Sequence, residues 1–154
     1  MNSAPQILQT ERREMAFIPL QVSHAEIRQV MGPGIQEVMA AAQTQGVGPT
    51  GPWFTHHWRI TPEGFDFQIC VPVSAPIQPV GRVLPGEWPA MKVVKAVYQG
   101  GYEGLPVAWG EFDAWIRAQG LKVGEDLWEQ YTSGPESSDN PSDWRTELNR
   151  QILD

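Results

Sequence analysis

The spacing of apolar residues alternates along this chain between the period of a strand and the period of a helix. Residues 65–71 alternate apolar side chains with Asp66, Gln68 and Cys70, and this period of two predicts a half-buried strand. Residues 105–119 instead place their apolar side chains on one face at helical spacing, and Gly120 follows as a stop signal. A chain that carries both periods is predicted to pack helices against a sheet.

The predicted elements follow one another in an order that nearly repeats. They are a strand at residues 15–20, a helix at 23–45 broken or kinked at Pro33, strands at 53–60 and 65–71, strands at 82–84 and 88–98 paired across a turn at Pro85-Gly86, the helix at 105–119, and strands at 127–132 and 145–153. We therefore predict an α+β fold of two similar halves that share an antiparallel sheet, with one main helix on each. Residues 1–10 are expected to be a loose N-terminus, and residues 11–154 a single domain.

The charge balance argues against some partners. The sequence holds 18 acidic and 11 basic residues, and its formal net charge is −7. Non-specific affinity for nucleic acid comes from clustered Lys and Arg, so we expect no direct contact with nucleic acid. No apolar run is long enough for a transmembrane helix, and the N-terminal residues lack the pattern of an export signal. The expectation is a cytoplasmic protein without a membrane partner.

Histidine and cysteine give no sign of a metal site or a cofactor. His56 and His57 are adjacent in a predicted strand, so their side chains should point to opposite faces of the sheet. Cys70 is the only cysteine, which excludes an internal disulfide, and we expect a buried, unreactive thiol. The sequence also lacks the glycine-rich motifs of nucleotide-binding sites and the serine motif of α/β-hydrolases.

Aromatic residues are more numerous than a small core needs, with 7 Trp, 5 Phe and 3 Tyr. Small-molecule sites are usually apolar and aromatic with a few placed polar groups, and aromatic faces attract cations. One carboxylate could be such a polar group, because strand alternation places Glu129 on one face with Leu127 and Tyr131. If Leu127 faces the core, Glu129 is held among apolar side chains; if this is an edge strand, Glu129 lies in water. The residues alone leave both alternatives open.

Several segments together resemble GyrI-like small-molecule-binding domains. The segments are residues 84–90 (LPGEWPA) and 98–105 (YQGGYEGL), similar to a family stretch LPGG-x-Y-A … H-x-G-x-Y-x-x-L; residues 128–131 (WEQY), similar to F-E-x-Y; residues 140–147 (NPSDWRTE), similar to D-P-x-x-W-x-T-E; and residues 51–54 (GPWF) and 71–73 (VPV), in the places of GPPF and F-P-V. Their order and spacing hold from about residue 15 to residue 153. The chain departs from the pattern at Glu87, Gln99 and Trp128.

The resemblance implies a specific fold and a specific site. It implies two βαββ-like halves related by a pseudo-twofold, an antiparallel sheet with both main helices on one side, and a ligand cleft between the halves. It also implies that Glu129 lies in the cleft and meets cationic or polar ligands, with Tyr131 beside it. The aromatic side chains expected around this carboxylate are Trp53, Phe54, Trp58, Tyr98 and Trp109.

Three functions follow from the resemblance, in order of preference. The first is stand-alone binding of hydrophobic small molecules, cationic ones included, of the multidrug or effector-binding type found in bacterial transcription regulators. The second is hydrolysis of strained cyclopropane-containing genotoxic compounds, with Glu129 as general base and Tyr131 as a proton donor. The third is inhibition of gyrase through an acidic surface. Because few residues precede the domain, we expect no helix-turn-helix in this chain, and the sequence identifies no protein partner.

Overall fold

A computed structural model describes residues 2–60, 62–135 and 137–153 of the chain. The fold is mixed α and β, as predicted, with eight antiparallel strands and two main helices. In chain order the elements are β1 (Gln6–Gln9), β2 (Arg13–Ser23), α1 (Ile27–Thr44), β3 (Phe54–Ile60), β4 (Gly64–Pro72), β5 (Leu84–Trp88), β6 (Lys92–Gln99), α2 (Leu105–Ala118), β7 (Leu127–Ser133) and β8 (Arg145–Gln151). Short 3-10 turns lie at Tyr102–Gly104 and Pro141–Asp143. In the described ranges, neither helix is long and apolar enough to cross a membrane.

The strands and helices divide into two compact units with the same internal topology. The N-terminal unit spans residues 11–90 and has the strand order β3-β4-β2-β5. The C-terminal unit combines residues 2–10 with residues 91–153 and has the order β7-β8-β6-β1. In each unit the strand before the helix pairs with the second strand after the helix, so β2 pairs with β4 and β6 with β8. That second strand also pairs with the first strand after the helix, so β4 pairs with β3 and β8 with β7. The near-repeat of elements in the sequence is therefore a repeat of strand order within each unit.

The core of the C-terminal unit lies between α2 and the sheet. Ala108, Phe112 and Ile116 are the buried residues of α2, at the i, i+4 and i+8 positions of one face. They pack in a cluster with Val94, Ala96, Tyr98 and Leu148 of β6 and β8. The helix ends at a glycine with a left-handed backbone, Gly120 at φ +70, as the sequence predicts.

The predicted capping box lies in the turn just before helix α1, and Pro33 does not break the helix. The backbone N–H of Ser23 donates to Glu26 Oε1 at 3.1 Å, and the N–H of Glu26 donates to Ser23 Oγ at 3.3 Å. The helix then runs without interruption through Pro33. Gly34 lets it approach the sheet closely, since a Cβ there would lie 2.6 Å from Ile69 Cδ1. Packing on the sheet thus outweighs the one donor that proline removes.

Two predictions about the strands are wrong. Residues 85–86 form no turn, because β5 runs through them and pairs with β2, with Gly86 opposite Met15. The predicted pair of strands at residues 82–98 is therefore not a hairpin: β5 pairs with β2, whereas β6 pairs with β1 and β8. The segment expected to be a loose N-terminus contains β1, which pairs with β6 in the register Gln6 opposite Lys95. Backbone pairing to a distant strand orders β1 although its four side chains are exposed.

Candidate functional site

The carboxylate of Glu129 is buried and accepts hydrogen bonds from two aromatic side chains. The hydroxyl of Tyr131 donates to Oε1 at 2.5 Å, and the indole N–H of Trp109 donates to Oε2 at 2.6 Å. Only 8% of the Glu129 surface is exposed. Short hydrogen bonds of this kind are typical of an ionised acceptor. A buried negative charge held between two aromatic donors is the candidate functional site.

The sheet register explains why Glu129 lies beneath a helix. Glu129 is opposite Leu148 of β8, and Leu148 is opposite Ala96 of β6. Residues directly opposite one another on neighbouring strands point to the same face. Ala96 and Leu148 belong to the cluster that packs against α2, so Glu129 also points to the α2 side. Of the two alternatives left open by the sequence, the structure shows the buried carboxylate.

Further aromatic rings extend the site along the same unit. The ring of Tyr131 meets Tyr102 edge to face, with centroids 5.9 Å apart, and Tyr102 lies 5.0 Å from Trp144. On the other side, Trp109 lies 5.7 Å from the buried ring of Phe112. Tyr102 and Trp144 were not among the predicted site residues. They belong to the segments YQGGYEGL and NPSDWRTE, so the sequence motifs held a signal for them.

Tyr98 is buried in the core of the same unit, where its hydroxyl binds a loop. The hydroxyl donates to the carbonyl oxygen of Gly101 at 2.7 Å. Burial raises the pKa of the Tyr98 phenol, and the negative charge of Glu103 raises it further. A Cβ on Gly104 would overlap the same hydroxyl. The hydrogen bond from Tyr98 thus holds the turn before α2 against the sheet.

Three of the predicted aromatic residues lie in the N-terminal unit. Phe54 is fully buried, 4.9 Å from Trp88, and the Arg13 guanidinium lies 4.5 Å from the centre of the Trp88 ring. Trp53 is partly buried and packs against the core of this unit, which includes Val38 of α1 and Ile69 of β4. Trp58 is 53% exposed, and its ring lies 4.2 Å from His56. The contacts of the C-terminal unit bring together Trp109, Glu129 and Tyr131 of the seven predicted residues.

The N-terminal unit carries a buried polar pair that sequence reasoning missed. His57 Nε2 lies 3.1 Å from Thr55 Oγ1, and both residues are buried. The His57 ring stacks on Phe67 with centroids 5.0 Å apart. The pair occupies β3, the strand that follows α1, just as Glu129 and Tyr131 occupy the strand that follows α2. In the sequence, the only sign of this pair is that two polar residues stand two positions apart on a strand that follows a helix. This sign becomes informative only when the strand orders of the two units are compared.

The described residues contain no cluster of three or more histidine, cysteine or acidic residues that could hold a metal ion. His56 Nδ1 lies 3.3 Å from Gln68 Oε1, on the face of β3 opposite to His57. Cys70 is fully buried, and burial raises the pKa of its thiol well above the ordinary value, against a smaller lowering by a hydrogen bond from the His56 backbone. The environment of Cys70 is that of an unreactive thiol.

Comparison with known proteins assigns the chain to a family. Residues 3–149 match the model of the GyrI-like small molecule binding domain. The chain belongs to the GyrI-like family. Among curated proteins, none matches the sequence significantly.

Solved structures with the same fold include a protein in complex with DNA and a protein bound to a small molecule. The C-terminal domain of EcmrR superposes with a TM-score of 0.86 at 19% identity, and 97% of each chain is covered. In the EcmrR–DNA complex the match has a TM-score of 0.85 and covers 97% of this chain but 57% of EcmrR, so this chain spans little more than half the length of that protein. SAV2435 bound to tetraphenylphosphonium is similar with a TM-score of 0.67 and 14% identity, covering 98% of this chain and 94% of SAV2435. A hydrolase from Listeria innocua is similar with a TM-score of 0.61 and 12% identity. The match covers 97% of this chain and 91% of the hydrolase.

Proposed function

We propose that this GyrI-like domain binds hydrophobic cations through the carboxylate of Glu129, with the rings of Trp109 and Tyr131 beside it. The observation that carries the proposal is the pair of hydrogen bonds of 2.6 and 2.5 Å that fixes a buried carboxylate between two aromatic side chains. The indole N–H of Trp109 and the hydroxyl of Tyr131 are neutral donors. A cationic ligand beside the carboxylate would add a charge attraction that neutral donors do not provide.

The aromatic surroundings favour ligands with delocalised or shielded charge. Trp and Tyr rings attract cations electrostatically and also bury the apolar groups around them. The net charge of −7 draws cations towards the protein in general. The complex of SAV2435 with tetraphenylphosphonium supports this ligand class, because that protein has the same fold. We therefore propose that this chain binds aromatic or quaternary cations. Binding of several different compounds of this class at one site would make it a multidrug-binding domain.

This proposal assigns the chain a sensing or capturing role without direct contact with nucleic acid. EcmrR carries a domain of this fold in a longer protein that binds DNA. The acidic balance of this chain disfavours phosphate contacts. Titration with random duplex DNA at physiological salt tests this part, and a salt-sensitive complex would contradict it.

Isothermal titration with tetraphenylphosphonium tests the main proposal. Glu129→Gln keeps the size of the side chain and removes its charge, so we expect the affinity to fall about tenfold or more. Glu111→Gln is the matched control, because Glu111 is an exposed residue of α2 and its replacement changes the net charge equally. Equal affinity of both variants and the parent would contradict a role of Glu129, and absence of binding by the parent would contradict this ligand class.

A second function, hydrolysis, is favoured by the distance of 2.5 Å between the Tyr131 hydroxyl and Glu129. A carboxylate and a phenol in contact form an acid–base pair. Glu129 would take a proton from water while the water oxygen bonds to a carbon of a strained cyclopropane. The electron pair of the broken ring bond would then take a proton from Tyr131. Mass spectrometry after incubation with strained cyclopropane electrophiles separates the two functions. Turnover that is lost in Glu129→Gln supports hydrolysis. Saturable binding of the unchanged compound supports capture.

A further inference from the structure

The guanidinium of Arg150, near the end of β8, is held on two sides. Its Nε and Nη2 donate to the two carboxylate oxygens of Asp113 at 3.0 and 3.1 Å, a forked ion pair with α2. Its Nη1 donates to the carbonyl oxygens of residues 124, 125 and 126 at 3.3, 3.0 and 3.3 Å. The side chain is only 14% exposed. These contacts fix the guanidinium far more firmly than an ordinary surface ion pair.

The same guanidinium contacts the indole that binds Glu129. Arg150 Cζ lies 5.4 Å from the centre of the Trp109 ring. Trp109 and Asp113 are at i and i+4 on α2, so they are neighbours on one side of the helix. The Arg150 guanidinium therefore contacts both the Asp113 carboxylate and the Trp109 indole on this side of α2.

Arg150 thus connects the two elements that carry the Trp109–Glu129 hydrogen bond. Its ion pair is with α2, which carries the donor Trp109. Its carbonyl contacts are with residues 124–126, which lead directly into β7 and the acceptor Glu129. A hydrogen bond of 2.6 Å loses strength steeply when donor and acceptor shift relative to each other.

We propose that Arg150 is a positioning residue that aims the indole N–H of Trp109 at Glu129 and thereby sets the affinity of the site for cations. Asp113 balances the positive charge of Arg150, so that the guanidinium leaves the negative charge of Glu129 available to a ligand. The effect on ligand affinity rests on the proposed function. The effect on the Trp109–Glu129 hydrogen bond does not.

A double-mutant cycle with tetraphenylphosphonium tests the effect on affinity. Arg150→Gln should weaken binding roughly threefold to tenfold in the parent and less than about twofold in a Trp109→Phe background, because coupled residues are not additive. Arg150→Lys should restore little, since an ammonium cannot form the fork. Arg145→Gln is the matched control, with the same charge change on an exposed residue of β8. Equal penalties of Arg150→Gln in both backgrounds would overturn the proposal.

The indole N–H resonance of Trp109, assigned by its loss in Trp109→Phe, gives a readout that needs no ligand. Arg150→Gln should move this resonance clearly while Arg145→Gln leaves it in place. If Arg150→Gln fails to fold, Asp113→Asn is the second variant, because it removes the fork and keeps the carbonyl contacts. A parent that binds no cation contradicts the proposed function, while an unmoved Trp109 resonance in Arg150→Gln or Asp113→Asn overturns the positioning role by itself.

Discussion

Tyr131 and Glu129 lie two positions apart on β7, and the phenolic hydroxyl donates to the carboxylate at 2.5 Å. Strand alternation places both side chains on the face beneath α2, so the bond is formed within a single strand. The hydroxyl of Tyr131 thus orients the carboxylate of Glu129. Both groups of the candidate site lie on a strand of the sheet and not on a loop.

The contribution of the Tyr131 hydroxyl to the free energy of unfolding depends on its acceptor, the carboxylate of Glu129. We expect Tyr131→Phe to lower the free energy of unfolding by about 2 kcal/mol, because hydrogen bonds to charged groups contribute about 1.5–3 kcal/mol. Tyr98→Phe is the matched comparison, since the Tyr98 hydroxyl donates to the neutral carbonyl of Gly101 and should contribute about 1 kcal/mol. Urea denaturation of the two variants measures the difference. A larger loss in Tyr98→Phe would contradict the assignment of Glu129 as the ionised acceptor.

Phe112 is expected to contribute most to the packing of α2. It is 1% exposed and lies in the middle of the buried face. Phe112→Ala should cost about 3–5 kcal/mol through lost burial and the cavity left behind. Val107→Ala is the control, because Val107 is on the same helix and 67% exposed, and it should change stability by less than about 0.5 kcal/mol. Similar midpoints of thermal unfolding for the two variants would refute the packing of this face.

Two glycines next to and within α2 should respond in opposite directions to the same substitution. A Cβ at Gly104 would overlap the Tyr98 hydroxyl, so Gly104→Ala should be destabilising. Gly110 has no atom within 4 Å of its would-be Cβ, so Gly110→Ala should stabilise the helix by about 0.5–1 kcal/mol. Adding Tyr98→Phe should recover part of the loss in Gly104→Ala. Thermal unfolding measures all three, and equal effects at the two glycines would count against the close approach.

The thiol of Cys70 should stay unreactive as the pH rises. Burial raises its pKa well above the ordinary value, so the protonated form persists in the folded protein where a free thiol ionises near pH 8.5. We expect a disulfide reagent to label Cys70 at pH 9 only as fast as the protein unfolds, and rapidly in denaturant. Labelling in native buffer that accelerates with pH as a free thiol does would show that the side chain is accessible.

The helix α2 could be predicted almost to the residue because its signals are local. The apolar face at residues 105–119 and the stop at Gly120 are properties of one segment, and the observed helix is Leu105–Ala118. The pairing of β5 could not be predicted, because Pro85 and Gly86 are also typical of a turn. In the structure Gly86 packs against Phe17, whose Cε1 would lie 2.7 Å from a Cβ at this position, so the strand needs a residue without a side chain there.

The candidate site was predictable in part for the same reason. Alternation grouped Glu129 with Tyr131, and the resemblance to the family drew attention to them. The contact of Arg150 with Asp113 and Trp109 joins residues far apart in sequence, and no local pattern distinguishes Arg150 from other arginines. Sequence patterns predict which side chains share a face of one strand or helix. They do not predict which side chains of different strands and helices contact one another.

Because β1 pairs with β6, residues 6–9 must find partners at residues 92–95, across the whole of the N-terminal unit. Closing so long a loop costs chain entropy before any contact repays it. The pairs β3–β4 and β7–β8 close much shorter loops. We therefore expect β1 to be absent from the folding transition state and to dock last. Weakening its contacts should accelerate unfolding while leaving the rate of folding nearly unchanged.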